Sequence, residues 1–345
     1  MTRPTVERLR ALPKTELHVH LDGSLRPETM LELAREYGKE LPSTDLQELA
    51  GYMLASDTRN LEEYLDRFRL TLSVMQHADA LERIAYELAI DNHREGVRYM
   101  EVRYSPILHT QAGLPLPETV DAPLRGLRRA EEETGIRTAI IICGIRNMEP
   151  ETSRDLADLT VAYKGRGVVA FDLAGAEYNY PAKKHKNAFF TVINRNMPTT
   201  IHAGEAYGPE SIHQALHYCR ANRIGHGTRL FEDADLMAYV RDLRIPLEIC
   251  PTSNVQTRVV ETLADHPIRR YFDEGIVVTL NTDNILISGT TLTREYELMA
   301  EHLGFTWSEL VRVARMGFES AFLSWPDKQA FLREFDAAAA GLSEG

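Results

Sequence analysis

Eight short runs rich in Val, Ile and Thr constrain the fold of this chain more than any other sequence feature. Most are separated by segments with apolar residues at helical spacing, such as Ser211–Ala221 and Ala234–Asp242. This is the strand–helix alternation of a parallel sheet, and eight units predict an α/β protein closed into a (β/α)8 TIM barrel. The runs are Glu16–Gly23, Val97–Pro106, Arg137–Ile145, Val168–Gly175, Pro198–Glu205, Arg223–Arg229, Ile245–Cys250 and Gly275–Asp283.

Length and charge narrow the class of protein. The chain has 345 residues, 43% of them hydrophobic, and a net charge of −12. It can bury a large core, and its negative field disfavours nucleic acid as a partner. No run approaches the ~20 apolar residues that cross a bilayer, and residues 1–14 lack a signal-peptide core. We therefore expect one cytoplasmic domain, 1–345, without a membrane partner; the sequence carries no signal for oligomeric state.

The first run contains two histidines, His18 and His20, separated by one residue. Side chains alternate between the two faces of a strand, so both imidazoles point the same way while Leu17 and Val19 point the other way. Such a pair can hold one metal ion, although a His-x-His alone is weak evidence. A hydrolytic zinc site needs three or four protein ligands and a position for water.

The other runs end in similar side chains, where a barrel enzyme carries its chemistry. Run five ends in His202-Ala203-Gly204-Glu205, run six contains Gly225-His226-Gly227, and run eight ends in Thr282-Asp283-Asn284. Zinc accepts oxygen from aspartate as well as nitrogen from imidazole. His18, His20, His202 and Asp283 are therefore a candidate shell for one zinc ion per chain.

These motifs, in this order, resemble those of the adenosine deaminase family, within the amidohydrolase superfamily of metal-dependent barrels. The resemblance runs from about Pro13 to about Leu323 and includes Asp172-Leu173-Ala174-Gly175 and Cys250-Pro251-Thr252-Ser253-Asn254. It implies a TIM barrel of the metal-dependent hydrolase type, with extra helices over the carboxyl ends of the strands. It also implies deamination of adenosine and 2′-deoxyadenosine in purine salvage.

The resemblance assigns roles to individual residues. His18, His20, His202 and Asp283 would bind zinc, with Asp283 also catalytic. Glu205 would protonate purine N1, and His226 would assist the attacking water. The substrate would be contacted by Asp22 at the ribose 5′-hydroxyl, by the Gly175 backbone at N3, by Asn284 and by His20.

The chemistry of the reaction asks for the same residue types. Charge develops on N1 as water attacks C6, so a carboxyl that keeps its proton through burial is a suitable donor, and Glu205 is close to His202 in sequence. Structural alternatives exist: Glu205 could cap the helix that begins near Ser211, and His226 could be a core histidine between two glycines.

Two positions depart from the family pattern. Asn284 stands where the family usually has a second aspartate facing N7; an amide donates to N7 without having to be protonated first. Ala176 replaces an acidic residue, and its effect has no firm account.

Absences narrow the chemistry further. Many two-metal members of the superfamily that this chain resembles use a carbamylated lysine at the end of strand four. Run four contains no lysine, which favours a single metal. The Pro-Cys-x-x-Cys motif of the other zinc deaminase fold is also missing from the sequence. Three widely spaced cysteines predict no disulfide frame. No motif accompanies the remaining histidines, which are interpreted as surface or core residues: His77, His93, His109, His185, His213, His217, His266 and His302.

A long insertion, about residues 24–96, separates runs one and two. It contains an apolar stripe at helical spacing, which predicts a helix packed onto the barrel and a lid over the substrate. The stripe is Leu61, Tyr64, Leu65, Phe68 and Leu72. Near the carboxyl terminus, Thr306 and Glu309 predict a capping box opening a helix through Phe318, and a further helix after Pro326.

Other functions stay open at this point. Adenine deaminase and aminodeoxyfutalosine deaminase use related substrates, and a non-catalytic protein that binds a nucleoside or a protein partner could share the fold. Asp22 disfavours a 5′-phosphate through like-charge repulsion, and the family's adenine deaminases tend to carry glutamate there. Asp22 therefore favours a nucleoside.

Overall fold

The computed structural model describes residues 3–56 and 58–343. Eight parallel strands form the centre of this part of the chain. The strands are Lys14–His20 (β1), Val97–Tyr104 (β2), Arg137–Ile145 (β3), Val168–Ala174 (β4), Thr200–Ala203 (β5), Arg223–His226 (β6), Leu247–Ile249 (β7) and Val278–Leu280 (β8).

The strands pair in chain order as two four-stranded sheets, β1–β4 and β5–β8. Single parallel bridges join the sheets at both seams, Phe171 with Thr199 and Val19 with Asp283. At the second seam the His20 N–H donates to the Asp283 carbonyl at 2.7 Å, and the Asp283 N–H donates to the His18 carbonyl at 2.9 Å. These bridges close the barrel, and the predicted (β/α)8 class is confirmed.

Several strands are shorter than predicted, most clearly in the second half. β8 covers Val278–Leu280 where the sequence predicts Gly275–Asp283, and β6 ends at His226. The backbone turns into the left-handed region at His226, where φ is 62°, and this conformation ends β6. Proline at 246 has no N–H to donate, so β7 starts after it.

Helices surround the barrel and connect its strands. They are Val6–Ala11 (α1), Pro27–Glu36 (α2), Leu46–Met53 (α3), Leu61–Leu65 (α4), Phe68–Val74 (α5), Ala78–Arg94 (α6), Glu118–Thr134 (α7), Pro150–Ala162 (α8), Lys186–Ile193 (α9), Pro209–His217 (α10), Ala234–Asp242 (α11), Pro251–Gln256 (α12), Ile268–Asp273 (α13), Ile285–Ser288 (α14), Leu292–His302 (α15), Trp307–Ser320 (α16) and Trp325–Ser343 (α17). None of the helices in the described residues is long and apolar enough to cross a membrane.

The strand residues are buried on both faces, as expected where helices cover the outside of a barrel. In β1, Leu17 and Val19 are fully buried in the hydrophobic core. Alternation turns the histidines of the same strand to the barrel interior, where they meet polar groups from other strands. One strand thus contributes to both the core and the site.

The insertion after β1 contains α2 to α5 before the crossover helix α6. Its apolar stripe falls on two short helices, α4 and α5, instead of one. Both helices lie over the carboxyl ends of the strands, because their stripe residues line the main cavity. The movement of this segment as a lid stays a prediction.

The carboxyl-terminal helices follow their capping signals. Thr306 and Glu309 make both halves of the capping box, as predicted, and α16 continues two residues past Phe318. α17 begins at Trp325, so Pro326 lies in its first turn, where its missing N–H is tolerated. The Ala-rich segment after Asp336 is helical through Ser343 and continues α17.

Candidate active site

Four side chains from two strands, β1 and β5, and the turn after β8 meet at the mouth of the barrel. His18, His20, His202 and Asp283 each offer a ligand atom, all within 4.8 Å of one another. The Nε2 atoms of His18 and His20 both lie 3.1 Å from Nε2 of His202. The Asp283 Oδ1 lies 3.4 Å from His20 Nε2 and 3.6 Å from His18 Nε2. Three nitrogens and one oxygen directed at one point form a set suited to a divalent metal.

Outer carboxylates orient two of these histidines. The Nδ1 of His18 lies 2.9 Å from Glu248, and the Nδ1 of His202 lies 3.0 Å from Asp172. Each Nδ1–H donates to its carboxylate, which leaves the Nε2 lone pair facing the metal position. Arg103 bridges Asp172 and Glu248 at 3.0 and 2.8 Å.

Burial favours the neutral form of His18 and His20. Desolvation lowers the pKa of His18 and of His20 well below the ordinary value, and neighbouring positive groups lower both further. For Asp172, burial alone would raise the pKa, but His202 and Arg103 bring it well below its usual range. Neutral imidazoles beside ionised carboxylates are the protonation states that metal binding requires.

Asp283 is held at one of its two oxygens. The Ser253 hydroxyl donates to Oδ2 at 2.6 Å, so Oδ1 is the oxygen directed towards the histidines. Burial raises the pKa of this carboxyl, and the hydrogen bond from Ser253 opposes the rise. The left-handed backbone at Asp283 is a conformation in which Asp is enriched, and it turns the side chain inward at the end of the barrel.

Glu205 lies on the floor of the same cavity and is 5% exposed. Its pKa is raised well above the ordinary value by burial first, then by the charges of Asp283 and Glu177. Glu177 also fixes the loop, because its carboxylate accepts the backbone N–H groups of Gly204, Glu205 and Tyr207 at 2.7, 3.0 and 3.0 Å. His226 completes the floor, with Nε2 3.6 Å from Glu205 Oε2.

The cavity above this floor has a volume of about 490 Å³. Asp22, Gly175 and Asn284 line its sides, and α4 and α5 supply an apolar wall that includes Tyr64 and Phe68. One oxygen of Asp22 and the Asn284 Oδ1 are buried without a hydrogen-bond partner among the described residues. Buried polar atoms are normally paired, so the free Asp22 oxygen is suited to a polar ligand, whereas the Asn284 Oδ1 packs against Gly23.

Burial, together with the charge of Asp283, raises the pKa of Asp22 to about 7. Next to it, Gly23 is required for packing, since a Cβ there would lie 1.8 Å from the Asn284 amide oxygen.

The structure brings together every residue that the sequence singles out for the site. Sequence reasoning gave no role to the residues that support the site from outside it. Glu248 had a detectable signal, a lone carboxylate within the apolar run Leu247–Ile249. The contacts of Glu177 and Ser253 are made across the fold and leave no local pattern.

A parallel barrel with a buried three-histidine, one-carboxylate group at its carboxyl-terminal mouth defines a metal-dependent hydrolase of the barrel class. The family model described as adenosine deaminase matches residues 13–338. The chain therefore belongs to the adenosine deaminase family.

Individual comparisons agree with this membership. The adenosine deaminase of Mycolicibacterium gilvum is 42% identical over 97% of this chain and 97% of its own length. A probable adenosine deaminase of Dictyostelium discoideum is 41% identical over 96% of this chain, which spans only 43% of that longer protein. The solved adenine deaminase of Arthrobacter aurescens superposes with a TM-score of 0.87 at 28% identity, covering 94% of this chain and 98% of that one.

Proposed function

We propose that this protein is a zinc-dependent enzyme that hydrolyses adenosine and 2′-deoxyadenosine to inosine and deoxyinosine, with release of ammonia. The observation that carries the proposal is the burial of Glu205 in one cavity with the three-histidine, one-aspartate group, and this burial raises the pKa of its carboxyl. The names of the family's curated members support adenosine as the substrate. A cytoplasmic location and a role in purine salvage are part of the same proposal.

The donor set fits zinc. His18, His20 and His202 offer one ring nitrogen each and Asp283 one oxygen, which matches the coordination preference of that ion. When bound, zinc would supply a nucleophile near neutral pH by lowering the pKa of water to about 7. We propose one ion per chain, because β4 contains no lysine to bridge a second.

Glu205 has the environment of a proton donor to N1. Attack at C6 of an adenine ring moves electrons onto N1, and a proton delivered there preserves neutrality. Burial and adjacent negative charge hold the Glu205 proton in place until N1 becomes basic. Asp283 would lie beside the attacking water through its metal-ligating Oδ1, while the Ser253 hydroxyl donates to Oδ2, so this carboxylate is the proton acceptor in the proposal.

The sides of the cavity supply groups that could recognise a nucleoside. The unpaired oxygen of Asp22 can accept a hydrogen bond from a ribose 5′-hydroxyl, and the Gly175 backbone can meet purine N3. The Asn284 amide can donate to N7. His20 lines the cavity and contacts the substrate in this proposal.

Adenine deaminase and aminodeoxyfutalosine deaminase are the alternatives within the enzyme class. The similarity to a solved adenine deaminase is the reason to test adenine as a substrate. A free base would leave the Asp22 oxygen unpaired, and a carboxyl at this position offers no positive charge to pair with a 5′-phosphate. The cavity therefore favours a nucleoside with a free 5′-hydroxyl.

A substrate panel and one variant test the proposal. Purified protein should consume adenosine and 2′-deoxyadenosine in preference to adenine, AMP and aminodeoxyfutalosine, with ammonia released in equal amount. The wild-type protein should contain one zinc per chain, and Asp283→Ala should lose most of both metal and turnover. No turnover of any 6-aminopurine by the metal-loaded protein would leave the non-catalytic binding protein as the better hypothesis. Two tightly held metal ions per chain would contradict the proposal of a single zinc ion.

A further inference from the structure

A line of buried hydrogen bonds runs from the backbone to His226. The Ile268 N–H donates to His266 Nδ1 at 3.1 Å, and His266 Nε2 lies 3.2 Å from Asn254 Oδ1. The Asn254 Nδ2 lies 3.0 Å from His226 Nδ1. We call Ile268, His266, Asn254 and His226 the histidine relay.

Donor chemistry sets the direction of the histidine relay. A backbone N–H can only donate, so Nδ1 of His266 carries a lone pair and its proton lies on Nε2. That Nε2–H donates to the Asn254 carbonyl oxygen, which leaves the amide NH2 facing His226. The Nδ1 of His226 must then be an acceptor, and the proton of the neutral ring lies on Nε2.

The contact with Thr228 fits this direction, and the contact with His266 opposes the reverse one. The Thr228 hydroxyl donates to the same Asn254 oxygen at 3.0 Å, which satisfies both of its lone pairs. A flipped Asn254 would turn its NH2 towards the protonated Nε2 of His266, leaving two donors in contact.

The side chains of the histidine relay are buried: Asn254 is 0%, His226 1% and His266 3% exposed. Burial also lowers the pKa of His266 to about 3, so this ring is neutral at physiological pH.

We propose that Asn254 and His266 are positioning residues that hold His226 as its Nε2–H tautomer. The inference deepens the proposed deaminase function and rests on it for its catalytic meaning. With this tautomer, His226 presents a hydrogen-bond donor to the cavity and cannot take a proton from water there. The proton of the attacking water then goes to Asp283. His266, for which the sequence predicts no role, then supports His226 through Asn254 from outside the cavity.

The tautomer can be observed directly. Long-range 1H–15N spectra of the zinc-loaded protein, labelled with 15N-histidine, distinguish the protonated ring nitrogen from the unprotonated one, and loss of signals in His226→Gln assigns the ring. We expect the proton on Nε2 of His226 in the wild-type protein. A proton on Nδ1 would overturn the proposal. This measurement needs no substrate, so its failure and the failure of the deaminase assignment are separate results.

Asn254→Asp is the sharpest variant, because a carboxylate of the same shape can accept from His266 and Thr228 but cannot donate to His226. The His226 proton should move to Nδ1, and kcat should fall by about 10²- to 10⁴-fold, the range seen when a catalytic imidazole is held in the wrong tautomer. Zinc content should stay at one per chain. Unchanged kcat, or Nε2–H retained, would overturn the proposal.

Substitutions at His266 provide a matched pair. His266→Gln keeps an N–H donor at the position of Nε2 and should keep kcat within about threefold, whereas His266→Leu removes it and should lower kcat by about 10-fold, a usual effect for a supporting residue. Thermal unfolding and zinc content are measured for both. Equal kcat in the two variants would contradict the relay, since overall packing changes in both.

Discussion

Glu205 combines full burial with two neighbouring carboxylates, and both effects favour its protonated form at neutral pH. Glu205→Gln keeps the shape but has no proton to give to N1. We expect zinc content and inosine binding to stay near the wild-type values while kcat falls by about 10²- to 10⁴-fold, the usual range for an acid–base group. Steady-state kinetics, metal analysis and calorimetric binding measure the three quantities. Turnover close to that of the wild type, with zinc retained, would exclude the role.

Asn284 is the residue where the sequence departs from the family pattern, and its amide is buried at the cavity wall. If the amide donates to N7, then 7-deazaadenosine should be poorer by about 1–3 kcal/mol in kcat/KM, because the donor loses its acceptor. Asn284→Leu should weaken purine binding while keeping zinc. Asn284→Asp should be active but lose affinity as pH rises, since its carboxyl must be protonated to donate.

The comparison of adenosine with 7-deazaadenosine in the leucine variant serves as the control. The preference for adenosine should disappear there, because no donor faces N7. Equal reaction of both nucleosides with the wild-type protein would remove Asn284 from substrate recognition.

At the residue scale, the sequence predicts the groups that carry chemistry better than the groups that hold them. Alternation in a strand pairs His18 with His20, and the strand ends select His202 and Asp283. Asn254 and His266 are 12 residues apart in the chain and meet through one side-chain hydrogen bond. No periodic pattern in the sequence marks such a contact. Their roles follow only from donor and acceptor geometry in three dimensions.

At the scale of elements, α4 and α5 contribute an apolar wall to the cavity, and the Phe68 ring lies 6.4 Å from that of His20. Phe68→Ala should raise KM for adenosine by about 10-fold through lost apolar contact, with kcat changed less than threefold. Leu70→Ala is the matched control, since Leu70 packs on the core from the same helix and does not line the cavity. An equal rise in KM for both variants would show that α5 acts only through stability.

Glu295 links α15 to two other segments, because it accepts the Thr290 hydroxyl at 2.5 Å and the Thr252 N–H at 3.2 Å. Burial raises its pKa from 4.5 to about 7, so the folded protein binds this proton more tightly than the unfolded chain. Its contribution to stability is therefore present at low pH and is lost as pH rises towards 7.

Glu295→Gln imitates the protonated carboxyl and does not titrate. Relative to the wild type, its free energy of unfolding should increase by about 3 kcal/mol between pH 5 and pH 8, at 1.36 kcal/mol per unit of pKa difference. Urea denaturation at several pH values measures the difference. Glu297→Gln controls for loss of a charge from the same helix. A constant difference across this range would contradict the assigned titration.

Elements with strong local signals were predicted closely. β3 and α11 have the predicted bounds, and the capping box opens α16 where expected. The second-half strands were predicted too long, because their flanking residues share the β-branched composition of the strands. Pro246 delays the start of β7 and left-handed backbone at His226 ends β6, and a left-handed turn at a non-glycine residue is set by tertiary contacts.

At the scale of the whole molecule, a connected set of buried ion pairs crosses the barrel interior behind the metal ligands. It begins where the Phe322 N–H donates to Glu101 at 2.6 Å, and it ends at His18 and His202. The charged side chains of this set are visible in the sequence because they interrupt apolar strands. Which of them pair with one another depends on closure of the barrel. Its members are Glu101, Arg223, Glu248, Arg103 and Asp172.

Arg103 is the member that joins the two carboxylates orienting the metal-binding histidines, and its guanidinium is fully buried. Arg103→Met should lower the free energy of unfolding by about 3–5 kcal/mol, because Asp172 and Glu248 would lose a buried partner. Arg103→Lys keeps the charge but loses the planar fork that reaches the two carboxylates from separate nitrogens, so zinc affinity should fall by about 10- to 100-fold. Chelator competition measures affinity, and urea denaturation of metal-free protein measures stability. Arg315→Met, which breaks an exposed pair with Asp336, should cost about 1 kcal/mol or less. Wild-type zinc affinity in Arg103→Lys would mean that the histidines keep their orientation without this bridge.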